Sequence, residues 1–71
     1  MKFNERIRAL REDKDLNQTQ LGKIMNMSQR KISRLETGES EPTTDEIISF
    51  CRFYKVSADY ILGLTDKMKG I

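Results

Sequence analysis

Apolar residues recur along this chain at helical spacing, and no stretch alternates with the period of a strand. Phe3, Ile7, Leu10 and Lys14 share one helical face, which predicts a first helix from about Asn4 to Asp13. Asn4 is the expected N-cap, with Glu5 placed favourably at the positive end of the helix. The charged run from Glu12 to Asp15 ends it, and Leu16 is expected to return to the core. Asn17 then caps a second helix, and Gln20 three residues on completes the spacing of a capping box. Leu21, Ile24 and Met25 make the apolar stripe of that helix. Asn26 stands at the break, where an asparagine enters the left-handed region at modest cost. Ser28 starts a third helix whose inward residues are Ile32, Leu35 and Glu36.

Gly38 ends this helix, and Glu39 to Pro42 reads as a loop. Thr43-Thr44-Asp45-Glu46 is a capping box, followed by Ile47, Phe50, Cys51 and Tyr54 at the spacing of a core stripe, with Ile48 and Phe53 on its shoulders. Ser57 caps a fifth helix in which Ala58, Ile61 and Leu62 are expected to face inward, and Gly63 closes it. Residues 1–65 form one domain in this reading, and residues 66–71 a short patternless tail. Tyr60, Leu64, Met68 and Ile71 could instead cover a partner subunit; the pattern leaves tail and dimer arm both open.

The pair of helices over residues 18–37 has a glycine, Gly22, in mid-helix, at a cost of roughly 1 kcal/mol against alanine. A close helix crossing explains it, and two short helices meeting steeply across a tight break make a helix-turn-helix. The outer face of the second of these helices carries Arg30, Ser33, Arg34 and Thr37, with Lys31 on one flank and Gln29 in the first turn. No apolar residue interrupts that face and no acid precedes Glu36, so it is either a solvated charged face or a reader of nucleic acid. A glutamine amide can bond adenine in two places and a guanidinium can do the same to guanine.

Several of these residues also carry a likeness. Gly22 on the first helix, Asn26 where a glycine is usual, Ile32 on the second, the ending Leu35-Glu36-Thr37-Gly38 and the run Val56-Ser57-Ala58-Asp59-Tyr60-Ile61-Leu62-Gly63 resemble, in order and spacing, the Cro/C1 (XRE-type) repressor family. The resemblance spans Phe3 to Thr65. It implies an all-α, five-helix, lambda-repressor-like DNA-binding bundle with its helix-turn-helix at residues 18–37. It also implies an ion pair between Arg11 and Glu36 joining the first and third helices, and a grip by Gln18 on the DNA backbone. Ser28, Gln29, Arg30 and Arg34 are then the candidates to read base edges, and Asn17, Gln18, Lys31, Ser33 and Thr37 the candidates for phosphates. The loop departs from relatives that use basic residues there, since Glu39 and Glu41 would repel a phosphate backbone.

Composition narrows the rest. Seventy-one residues hold one core, and no apolar run approaches the ~20 residues of a membrane span. The start carries no apolar signal core, so a cytoplasmic home is expected. Cys51 is the only cysteine and histidine is absent, which excludes an intrachain disulfide, the usual zinc sites and a histidine-based nucleophile. No catalytic residue, cofactor or metal is expected. The net charge of +2 is unevenly spread: residues 1–38 hold nine Lys/Arg against five Asp/Glu, residues 39–71 four against six. The helix-turn-helix lies in the basic half, as expected of a polyanion-binding face.

The function these features imply is sequence-specific DNA binding by a transcriptional regulator, expected to be a repressor acting as a homodimer on a palindromic operator. With no sensing domain in the reading, a protein antagonist is one route of regulation. The alternative is an antitoxin or other interaction module whose main partner is a protein.

Overall fold

The computed structural model describes residues 2–68. The five helices are α1 (Phe3–Asp13), α2 (Gln18–Met25), α3 (Gln29–Thr37), α4 (Thr44–Tyr54) and α5 (Ala58–Ile61), and no strand occurs among the described residues. Ile7, Leu10, Leu21, Ile32, Leu35, Phe50, Tyr54, Tyr60 and Ile61 form one buried core. Around it α1 packs against α3 and α5, α2 against α3, and α4 against α5. Among the described residues no helix is long and apolar enough to cross a membrane.

The caps explain where the helices begin. Asn17 Oδ1 accepts the Gln20 N–H at 2.7 Å while Gln20 Oε1 accepts the Asn17 N–H at 2.9 Å. Ser28, Thr43 and Ser57 accept in the same way at α3, α4 and α5. The first helix departs from expectation: its cap is Lys2, whose N–H donates to Glu5 Oε1 at 3.1 Å. Asn4 lies inside the first turn, and its Nδ2 donates 3.4 Å across to the Glu36 carbonyl oxygen. Phe3 joins the helix because its ring packs edge-on to Phe50, with centroids 5.9 Å apart. Lys14, placed by spacing on the inner face, is exposed, its Nζ 5.6 Å from the Phe53 ring centroid.

Gly22 meets the turn as its position suggested. A Cβ there would stand 2.5 Å from the Met27 carbonyl oxygen, and the Gly22 carbonyl oxygen accepts the Met27 N–H at 2.7 Å. Asn26 takes the left-handed conformation, φ 58°, that lets the chain reverse so tightly. This contact also corrects the stripe of α2. At about 100° per residue, Leu21, Gly22 and Met25 span one arc and Ile24 falls well to its side. Ile24 is half-exposed.

Two further inward assignments fail at α5, which is a single turn. Ala58 and Leu62 are exposed, while Tyr60 and Ile61 are buried. Tyr60, considered for a subunit contact, is covered by Arg6. The residues after Thr65 are not frayed as far as Met68, because the Ser57 N–H donates to the Met68 carbonyl oxygen at 2.9 Å. Leu64 and Met68 remain exposed, and Ile71 lies outside the described residues. Cys51 is half-buried and burial raises its thiol pKa, which suits a packing role.

Candidate nucleic-acid interface

The site is built on an ion pair beneath it. Arg11 Nε lies 2.7 Å from Glu36 Oε2 and Nη2 lies 3.0 Å from Oε1, a two-point contact between α1 and the last turn of α3. The Glu36 side chain is 3% exposed and that of Arg11 12%. Arg11 Nη1 also donates to the Leu16 carbonyl oxygen at 2.8 Å, which fixes the α1–α2 connection. The Glu36 carboxylate raises the guanidinium pKa of Arg11 above its usual value, so the arginine stays charged.

From this pair a chain of hydrogen bonds runs outward. Gln18, the first residue of α2, donates from Nε2 to Glu36 Oε1 at 3.1 Å. An ionised carboxylate only accepts, so the amide of Gln18 must turn its nitrogen inward and its oxygen outward. That oxygen accepts from Gln29 Nε2 at 2.6 Å. Gln29, the first residue of α3, is therefore held with one Nε2 hydrogen engaged. Gln29 is exposed, so its second Nε2 hydrogen and its Oε1 leave a donor and an acceptor on one amide for an incoming partner.

The other named residues divide by engagement. Arg30 is exposed and, among the described residues, has no carboxylate within ion-pair distance. Arg34 Nε stands 3.8 Å from Glu39 Oε2, both side chains largely exposed. Ser33 is half-buried, and Thr37, exposed, donates its hydroxyl to the Arg34 carbonyl oxygen at 3.3 Å. Ser28 and Asn17 use their oxygens as caps, as above. Lys31 turns away from the outer face, with Nζ 3.4 Å from Glu46 Oε2 on α4. Neither the Gln18–Gln29 contact nor the approach of Glu46 could be read from spacing, since both depend on how separate helices cross.

A left-handed turn closed on a mid-helix glycine, with an exposed polar and cationic face on the following helix, defines a helix-turn-helix domain. The family model described as helix-turn-helix matches residues 7–61, and the chain belongs to that family, in its Cro/C1 (XRE-type) branch. Among relatives, YobD, an HTH-type transcriptional regulator of Bacillus subtilis, is 36% identical over 64 residues, covering 90% of this chain and 57% of that protein. Repressor protein C2 of Salmonella phage P22 is 36% identical over 60 residues, covering 84% of this chain and 28% of that protein. Antitoxin PezA of Streptococcus pneumoniae is 36% identical over 66 residues, covering 93% and 41%. This chain thus spans little more than half, or less, of the curated relatives it matches. The fold is similar to that of the P22 c2 repressor in a crystal structure with synthetic operator 9T. The TM-score there is 0.80 at 34% identity, over 87% of this chain and 94% of that one.

Proposed function

We propose that the chain is a sequence-specific DNA-binding transcriptional regulator, a repressor in the first instance, that inserts α3 into the major groove. The observation that carries this reading is the clamped, exposed Gln29 amide, whose remaining donor and acceptor suit the N7 and N6 edge of adenine. Arg30 and Arg34 stand further along the same exposed face and suit guanine, and the Ser28 hydroxyl retains a proton to donate. Gln18, Asn17, Ser33 and Thr37 border the face where phosphates would run, and the α2 N-terminus offers backbone N–H groups to an oxyanion. The family membership and the likeness to an operator-bound repressor support it.

A face of this size makes few base contacts. A homodimer on a palindrome, its half-sites about one helical turn (~34 Å) apart, would double them. A cytoplasmic location follows from that role. Similarity to PezA favours a second reading in which a protein is the main partner. Selection of random duplex DNA by the purified chain, with affinity followed against salt, separates the two. A two-half-site consensus is expected; a salt-dependent affinity without consensus would reject the regulator reading in favour of a protein partner.

A further inference from the structure

Glu46 faces the recognition helix without belonging to it. Its position is set by α4, where it closes the capping box: Oε1 accepts the Thr43 N–H at 2.9 Å, and its own N–H donates to Thr43 Oγ1 at 3.1 Å. With one oxygen tied, the other projects toward α3 and lies 3.4 Å from Lys31 Nζ. The Glu46 side chain is 17% exposed and that of Lys31 36%. The Arg34–Glu39 pair differs in kind, being longer, at 3.8 Å, and open to water on both sides. Arg34 can leave Glu39 at little loss, because exposed pairs of this sort contribute little.

We infer that Glu46 is a specificity-setting residue: it withholds Lys31 from DNA phosphates, leaving Arg30 and Arg34 to carry the free charge of α3. The inference rests on the DNA-binding reading above. If Lys31 moved to a phosphate, the cap would still hold Glu46 in place, as a largely buried anion without its partner beside a polyanion. Both the unpaired charge and the like-charge approach oppose that move. A lysine free on this face would add attraction for any duplex and no information about sequence. Keeping it neutralised lowers non-specific binding while leaving base contacts by Gln29 and the arginines intact, which raises the ratio between the two.

Glu46→Gln tests this cleanly, because a glutamine in that position also completes a capping box while removing the charge. Affinity for a random-sequence duplex is measured by fluorescence anisotropy between 50 and 200 mM salt for wild type, Glu46→Gln, Lys31→Gln and the double variant. Glu46→Gln is expected to steepen the log–log salt slope by about 0.9, which changes its advantage over wild type about three- to fourfold across that range. Lys31→Gln should leave the slope unchanged, and the double variant should return it to the wild-type value. A shallower slope for Lys31→Gln, or an unchanged slope for Glu46→Gln, overturns the inference. If Glu46→Gln does not fold, the Lys31→Gln slope decides alone. A wild-type chain that binds no duplex at any salt would instead remove the DNA-binding reading, and this inference with it.

Discussion

The guanidinium of Arg6 lies over the ring of Tyr60, 4.0 Å from its centroid, and joins the second turn of α1 to α5. The same group donates from Nη2 to the Thr65 carbonyl oxygen at 3.5 Å and lies 3.5 Å from Asp66 Oδ1. Arg6 is buried while Asp66 is fully exposed, so the stacking and the carbonyl contact outweigh the ion pair. Arg6→Ala should lower the melting temperature and speed hydrogen exchange of the Ser57 N–H, which the Met68 carbonyl oxygen protects. Arg6→Lys should recover only part of the loss, because an ammonium keeps the charge without the planar surface. Asp66→Asn should change little. A melting temperature for Arg6→Ala equal to wild type would refute a stabilising role for the Arg6 contacts.

The ion pair beneath the interface makes a larger demand on stability. Removing one partner of a buried pair leaves the other charge uncompensated, at a cost of about 3–5 kcal/mol. Glu36→Ala is expected to lose stability of that order in urea unfolding. Adding Arg11→Ala should recover part of it, because the orphaned guanidinium disappears. Two single losses that simply add would mean the pair is not coupled.

Gly22 has two opposed effects to weigh. Alanine would gain roughly 1 kcal/mol of helix propensity, yet its Cβ would meet backbone, the Met27 carbonyl oxygen, rather than a flexible side chain. Overpacking against backbone typically costs about 1–3 kcal/mol, and here it also pries α2 from α3. Gly22→Ala should therefore be net destabilising by chemical denaturation. A stabilised variant would mean that the turn yields more easily than the contact implies.

These residues also separate what the chain declares locally from what it does not. The caps at Asn17, Ser28, Thr43 and Ser57 were legible because each depends on a side chain reaching a backbone N–H three residues away. The outer face of α3 was legible because a run without apolar residues cannot enter a core. Ile24, Ala58 and Leu62 were misplaced because a helix of one or two turns has too few positions for spacing to fix its buried arc. The neighbour decides instead, as Met27 does for α2. Asn4 has the chemistry of a cap but spends its amide on the Glu36 carbonyl oxygen, a contact made 32 residues away in sequence. Arg6, Lys31 and the Gln18–Gln29 pair share that property. Their partners stand on other helices, and no local pattern marks them.

Tyr54, together with the half-buried Cys51 thiol, contributes a pH dependence at the alkaline end. Its hydroxyl is buried without a hydrogen-bonding protein group among the described residues, and its pKa is raised, first by burial and then by the Glu36 charge, with Arg11 opposing. The unfolded chain releases this proton near the ordinary tyrosine value of about 10, while the folded chain retains it. Above about pH 10 the folded state binds more protons than the unfolded one, so stability falls as pH rises. Below that value the contribution is fully present. Tyr54→Phe should flatten the alkaline limb of a stability–pH curve. At neutral pH it should be neutral or stabilising by about 1 kcal/mol, since it removes an unpaired buried hydroxyl. An alkaline limb unchanged in this variant would assign the loss to other groups.

The hydrogen-bond chain from Arg11 to Gln29 gives Gln18 two possible effects on DNA, and they are separable. Gln29→Ala should weaken a selected site by about 1–3 kcal/mol and relax preference at one base position. If Gln18 only touched a phosphate, Gln18→Ala would weaken all sequences alike. Because Gln18 also holds the Gln29 amide at 2.6 Å, its loss frees that amide to rotate and exchange donor for acceptor. Gln18→Ala should therefore relax preference at the same base position as Gln29→Ala, and the double variant should lose less than the sum of the singles. Arg34→Ala serves as the control, relaxing a different position. Binding arrays over all single-base variants of the selected site make the comparison. A uniform loss for Gln18→Ala, additive with Gln29→Ala, would show that the clamp has no part in reading sequence.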